Sequence, residues 1–212
     1  NSIRAISISS ERDFVTKKNL DAESYTVHLD AKEGGDEIEG ECRYYMWRQK
    51  FLVKAEHKDE KRQDIEEWSI TLAFPFGKRL NRGMSCSGIY AFLPTETITN
   101  LPFIIQADFL LPSSRETILW DNKWNQGILD CVPTAFINAF VSLMKTREDA
   151  PPSSISSMFS FLPVNKSTHS KLELIRETIK GKLVAENIIL SESHSNQKFF
   201  RKPNEVGRLR PG

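Results

Sequence analysis

Three cysteines and four histidines in 212 residues leave little material for a metal centre or a disulfide framework. Cys42, Cys86 and Cys131 are odd in number, far apart and never in CxxC spacing, and His28, His57, His169 and His194 are just as scattered. A structural metal needs clustered ligands, so none is expected. Unpaired, buried thiols fit a reducing compartment, and the chain reads as intracellular, in cytoplasm or nucleus. The ten glycines are dispersed, and GxxxxGK(S/T), GxGxxG, HExxH and GxSxG are all missing. Their absence removes the P-loop, dinucleotide, zinc-protease and serine-hydrolase chemistries that those spacings serve. Excess charge is missing too. Lys and Arg number 29 against 28 Asp and Glu, a net charge of +1, which gives no long-range attraction for nucleic acid or an anionic membrane. No run reaches the apolar length of a membrane span, and the N-terminus has no signal-peptide pattern. The chain begins Asn1-Ser2 and closes on a basic, Pro/Gly-broken run, so both ends read as cut from something longer.

Aromatic residues, by contrast, are plentiful: thirteen Phe and four Trp in a chain that is 39% hydrophobic can bury enough apolar surface to offset ordering entropy. The first third reads as strands. Ile3–Ile8 and Tyr25–Leu29 alternate at period two, residues 33–40 form an acidic hairpin-type loop, and Cys42–Val53 is rich in aromatic and β-branched residues. The charged run 56–67 predicts a solvated loop or a short exposed helix. Strand alternation resumes over 66–74, followed by two apolar strands, Gly88–Pro94 and Leu101–Leu111. From Asn125 the spacing turns helical, with Ile128, Val132, Ala135, Phe136, Ala139, Phe140 and Leu143 on one stripe. Pro133 inside it predicts a kink or a new helix start. A second amphipathic helix spans 172–184, and Ile188–Leu190 and Lys198–Phe200 are candidate short strands. Strands first and helices second, without βαβ alternation, predict an α+β fold: a mostly antiparallel sheet in the N-terminal two-thirds with C-terminal helices packed on one side. The expected division is a sheet-rich unit over 1–149 including helix 125–147, a smaller helical extension over 150–200, and a linker over 201–212.

Chemistry-bearing candidates are few. The run Phe76–Gly83 has two glycines and three cations that could form an anion nest, but it matches no nucleotide motif, and a solvated turn is the simpler reading. The basic tail Arg201–Gly212 follows Phe199-Phe200, a combination met in nucleic-acid binders. It is short and Pro/Gly-broken, so a linker fits better, and nucleic acid is not an expected partner. The third candidate is Arg115, just beyond the apolar strand that ends at Leu111, in Pro112-Ser113-Ser114-Arg115-Glu116. A cation on a turn held by a strand can reach a phosphate on a neighbouring domain. The alternative is a surface arginine paired with Glu116 or Asp121.

A resemblance sharpens that choice. The ordered block Gly88–Pro94, Leu101–Phe109, Ser113-Ser114-Arg115 and Trp124-Asn125 resembles the segment after the ATP-binding domain in sacsin-like and plant No Vein-like proteins. The likeness covers about residues 68–144. Those proteins carry an ATPase domain of the heat-shock-chaperone, gyrase, histidine-kinase and MutL type, in which a following domain supplies a cation to the γ-phosphate. The resemblance implies that Arg115 makes that contact, that Ser113 and Ser114 support the phosphate loop, and that ATP and Mg²⁺ serve the complete protein. The pocket residues of that superfamily, including its Asp-x-Gly turn and glycine-rich lid, are absent here. The chain is therefore expected to hold no cofactor and to be no enzyme by itself, acting as a transducer on an upstream ATP-binding domain. The alternative is a partner- or client-binding module with no part in ATP turnover, with exposed aromatics of 44–47 or 120–124 as its patch.

Overall fold

The computed structural model describes residues 5–11, 20–32, 42–76, 88–146, 157–167, 169–192 and 198–206. Four long strands, β1 (Ala5–Glu11), β2 (Ala22–Lys32), β3 (Cys42–Leu52) and β4 (Glu67–Phe76), pair antiparallel in chain order. Three short ones extend the sheet: β5 (Ile89–Ala91), β6 (Leu93–Pro94) and β7 (Ile104–Gln106), in the order β1-β2-β3-β4-β7-β5-β6. Among the described strands only β5 against β7 is parallel. The pleat puts alternate side chains on one face. Tyr45, Trp47 and Gln49 of β3 stand opposite Phe74, Leu72 and Ile70 of β4, and all six are buried.

That face is covered by α1 (Lys123–Thr146), with α2 (Ser170–Leu183) packed on α1. Phe136 lies 5.8 Å from Phe74 and 5.0 Å from Phe103, Trp124 stands edge-on to Trp68 at 5.5 Å, and the Asn138 amide donates to Gln49 at 3.2 Å. The fold is thus α+β, with the helices on one side of a mostly antiparallel sheet. One core cluster runs on through Met158, Phe161, Leu172, Ile175 and Ile179, so residues beyond 150 pack into the same interior as the sheet. A two-stranded ribbon, β8 (Ile189–Glu192) with β9 (Lys198–Arg201), follows α2.

Several sequence expectations need correction. The strand expected over Gly88–Pro94 breaks at Phe92, whose φ of 63° turns the chain back, so that Ala91 pairs with Leu93. The strand expected over Leu101–Leu111 contracts to three residues. Leu101, Phe103, Ile105, Ala107 and Phe109 are all buried, so the period-two pattern is real. It reports burial rather than pairing: Pro102 has no N–H, and the Phe109 N–H turns back to the Ala107 carbonyl at 2.9 Å. α1 runs unbroken through Pro133, which is itself buried, so packing offsets the lost hydrogen bond (about 3 kcal/mol or more in a helix interior). By length and composition, residues 123–145 are also apolar enough to cross a membrane, with mean hydropathy 1.6, although 78% of that stretch is buried here. Such a stripe is what a central core helix carries. The charged run resolves into two single turns of 3₁₀ helix, Ala55–His57 and Glu60–Arg62. The acidic loop 33–40, residues 77–83 of the supposed anion nest and the tail 207–212 lie outside the described residues.

Candidate functional site

Arg115 stands on a loop whose two ends are clamped together. The loop leaves the sheet side at Leu110 and returns at Leu119, where the Leu119 N–H donates to the Leu110 carbonyl at 3.0 Å. Asn125, in the first turns of α1 and fully buried, completes the clamp. Its side-chain oxygen accepts the Leu110 N–H at 2.8 Å, and its amide nitrogen donates to the carbonyls of Leu110 at 2.8 Å and Leu119 at 3.0 Å. A buried amide that meets backbone groups on both arms fixes the loop base as a β-ladder would.

The neighbouring residues extend that support. Trp124 donates its indole N–H to the Asp108 carbonyl at 2.9 Å. Arg62 donates to the same carbonyl at 2.8 Å, ion-pairs with the Asp108 carboxylate, and lies 4.9 Å over the Trp124 ring. Asn122 caps α1, its side-chain oxygen accepting the Trp124 N–H at 2.9 Å. On the other flank the Glu96 N–H donates to the Glu116 carbonyl at 2.7 Å. Thr97 and Thr117 share a hydroxyl bond at 3.2 Å, and the Trp120 indole donates to Thr117 at 3.1 Å. Trp120 stacks on His169, the N-cap of α2, at 3.6 Å. Burial holds His169 below its ordinary value; Asp121 opposes the shift and Lys171 adds to it.

Within this support the tip itself is bare. Ser113, Ser114 and Arg115 are exposed, and the Arg115 N–H closes a turn onto the Pro112 carbonyl at 3.0 Å. Arg115 has a left-handed φ of 59°, uncommon for a residue with a side chain. Among the described residues no carboxylate pairs with its guanidinium; the expected alternatives, Glu116 and Asp121, do not reach it. The expectation that a strand end carries the arginine needs amending: β7 ends at Gln106, and the support comes from α1 and Arg62.

The sequence gives Asn125 no role beyond marking a helix start and sets Arg62 in a solvated run. Its signal for Asn125 was a polar residue at the start of an apolar helical stripe. Of the residues expected to form a partner-binding patch, Tyr45, Trp47 and Trp124 are buried in the sheet–helix interior, while Tyr44, Met46 and Trp120 are half-buried. Among the described residues no three His, Cys, Asp or Glu gather as a metal set. Burial pushes the half-buried Cys131 thiol up to about 11, with Asp130 adding to the shift, so it is protonated at neutral pH. A hollow of about 260 Å³ between α1 and α2, lined by Leu129, Pro133, Leu174 and Ile175 with Asp130 and Lys171, gathers no convergent polar groups.

No protein-family model matches the chain, and no solved structure matches it. The chain is 31% identical over 161 residues to Protein NO VEIN of Arabidopsis thaliana, an alignment covering 70% of this chain. It spans 6% of the length of that curated relative. The similarity supports a No Vein-like relationship for this stretch of chain.

Proposed function

We propose that this chain is the middle, transducer-like segment of a sacsin/No Vein-like chaperone-type ATPase, packing on an upstream ATP-binding domain and supplying Arg115 to the γ-phosphate. The observation that carries the proposal is an exposed arginine, unpaired among the described residues, on a turn whose base is clamped by a fully buried asparagine. A guanidinium held by a rigid base can neutralise charge on the transferring phosphoryl without reorganising at the moment of reaction. A paired surface arginine would first have to give up its partner. The Ser113 and Ser114 hydroxyls, exposed beside it, are available to the same phosphate oxygens. On this reading the chain is no enzyme by itself and holds no cofactor; ATP and Mg²⁺ belong to the complete protein, which is intracellular. Client proteins are further partners of that complete protein, with neither membrane nor nucleic acid among them.

The test is ATP turnover by the full-length protein with Arg115→Ala and Arg115→Lys. Arg115→Ala should lower turnover by up to ~10³-fold at unchanged nucleotide affinity. Lysine should restore only part, since it lacks the planar fork. Turnover indifferent to both substitutions would leave the partner-binding module as the account. That second reading is favoured by one observation, the exposure of Phe92 and Leu93.

A further inference from the structure

Arg115 keeps a left-handed φ of 59° although it carries a side chain. Such a conformation persists where the surrounding structure over-determines it. The clamp at Leu110 and Leu119 fixes the base of the loop, several residues from the arginine on either side. Closer to the tip, the Glu116 carbonyl accepts the Glu96 N–H at 2.7 Å. Two residues beyond Arg115, the Thr117 hydroxyl oxygen accepts two bonds at once. The Trp120 indole N–H donates to it at 3.1 Å and the Thr97 hydroxyl at 3.2 Å.

Trp120 is itself held. Its ring stacks on His169 with centroids 3.6 Å apart and planes 19° from parallel. Its carbonyl accepts the Gln126 side-chain amide at 3.3 Å, which ties it to the first turns of α1. His169 does not turn freely beneath the stack, because its Nδ1 accepts the Lys171 N–H at 3.2 Å as the N-cap of α2. α2 in turn is anchored by Leu172, Ile175 and Ile179, all buried. A continuous path of packed and hydrogen-bonded groups thus runs from a core helix through His169 and Trp120 to Thr117. Asn125 settles where the loop stands; this second path meets the part of it that carries the strained residue.

We infer that Trp120 is a positioning residue for Arg115: stacked on His169, it pins Thr117 and so keeps the arginine's turn in its left-handed conformation. This rests on the function proposed above and adds to it what aims the guanidinium. Trp120 acts through Thr117 and not on the phosphate.

The test reads the turn and the chemistry separately in the full-length protein. Trypsin cutting after Arg115, which is exposed, reports the turn, because a held loop must open before a protease can seat it. Trp120→Ala should speed that cut several-fold while cuts elsewhere keep their rates. Its ATP turnover should fall several-fold at unchanged nucleotide affinity, since aim is lost and binding is not. Thr117→Val is the second variant: it keeps the β-branched shape, removes the hydroxyl and should reproduce both effects. Thr117→Ser should restore both. A native cutting rate after Arg115 in Thr117→Val overturns the inference. So does faster cutting at every site together in both variants, which marks loss of fold rather than loss of aim, and so does a Thr117→Ser protein that stays quickly cut. Arg115→Ala separates the two ideas. Faster cutting in Trp120→Ala and Thr117→Val, with turnover unchanged in both and in Arg115→Ala, keeps the brace and removes the arginine's role. Turnover lost in Arg115→Ala alone, with native cutting in the other two, does the reverse.

Discussion

Asn125 uses both amide donors and one acceptor position on backbone groups of a single loop, Leu110 and Leu119. Asn125→Ala leaves the Leu110 N–H and the Leu119 carbonyl without that partner, at about 1–3 kcal/mol for each group left unsatisfied. The chain should lose roughly 2–6 kcal/mol of stability, read from the midpoint of urea unfolding. Asn125→Asp should also destabilise, since a carboxylate keeps the acceptor for Leu110 but faces two carbonyls. Cys131 gives a second prediction at this scale. With its thiol pushed up to about 11, iodoacetamide at pH 8 should label it far more slowly in the native protein than in urea, as followed by peptide mass spectrometry.

At the scale of elements, α2 carries the pH dependence. Its N-cap His169 accepts the Lys171 N–H on Nδ1 at 3.2 Å and so must be neutral there. Burial lowers its value from the ordinary 6.5. The cap therefore stabilises fully above that value and is lost as pH falls below it. Glu173 accepts from Arg176 at 2.7 and 3.0 Å and from the Ser167 N–H at 3.0 Å, with the Arg176 bond the larger cause of its fall from 4.5 to about 2. Its contribution is present above 4.5 and disappears as pH drops toward 2. The melting temperature should thus fall in two stages on acidification. His169→Asn, which keeps a cap acceptor, should remove the first stage, and Glu173→Gln the second. The elements themselves were legible where they were long and periodic: β2, β3, β4, α1 and α2 all follow from spacing. The break at Phe92 was not, because phenylalanine in a left-handed turn leaves no mark in the sequence. Of the candidate loop, the exposed turn at Arg115 was legible, while its support was not. Asn125 to Leu110 spans fifteen residues and Arg62 to Asp108 forty-six, and such pairings leave no local trace.

For the whole molecule, the single core joining Trp47, Phe74 and Phe136 to Phe161, Leu172 and Ile179 predicts one cooperative unfolding transition, although the sequence suggested a separate extension after 149. Calorimetry should give one peak, and Phe136→Ala and Leu172→Ala should both move it, by about 3–5 and 2–5 kcal/mol. A separate low-temperature peak abolished by Leu172→Ala alone would restore the two-unit description. The asparagine clamp carries a different consequence. Because Leu110 and Leu119 are held by Asn125 and by each other, the exposed side chains of residues 113–115 stand as an exchangeable tip on a finished scaffold. Substitution at Arg115 can erase or rewrite what the loop does while the protein melts as before. Two relatives can therefore share every core position and carry different residues on this turn, so inheritance of the fold and inheritance of the turn's surface are separate traits.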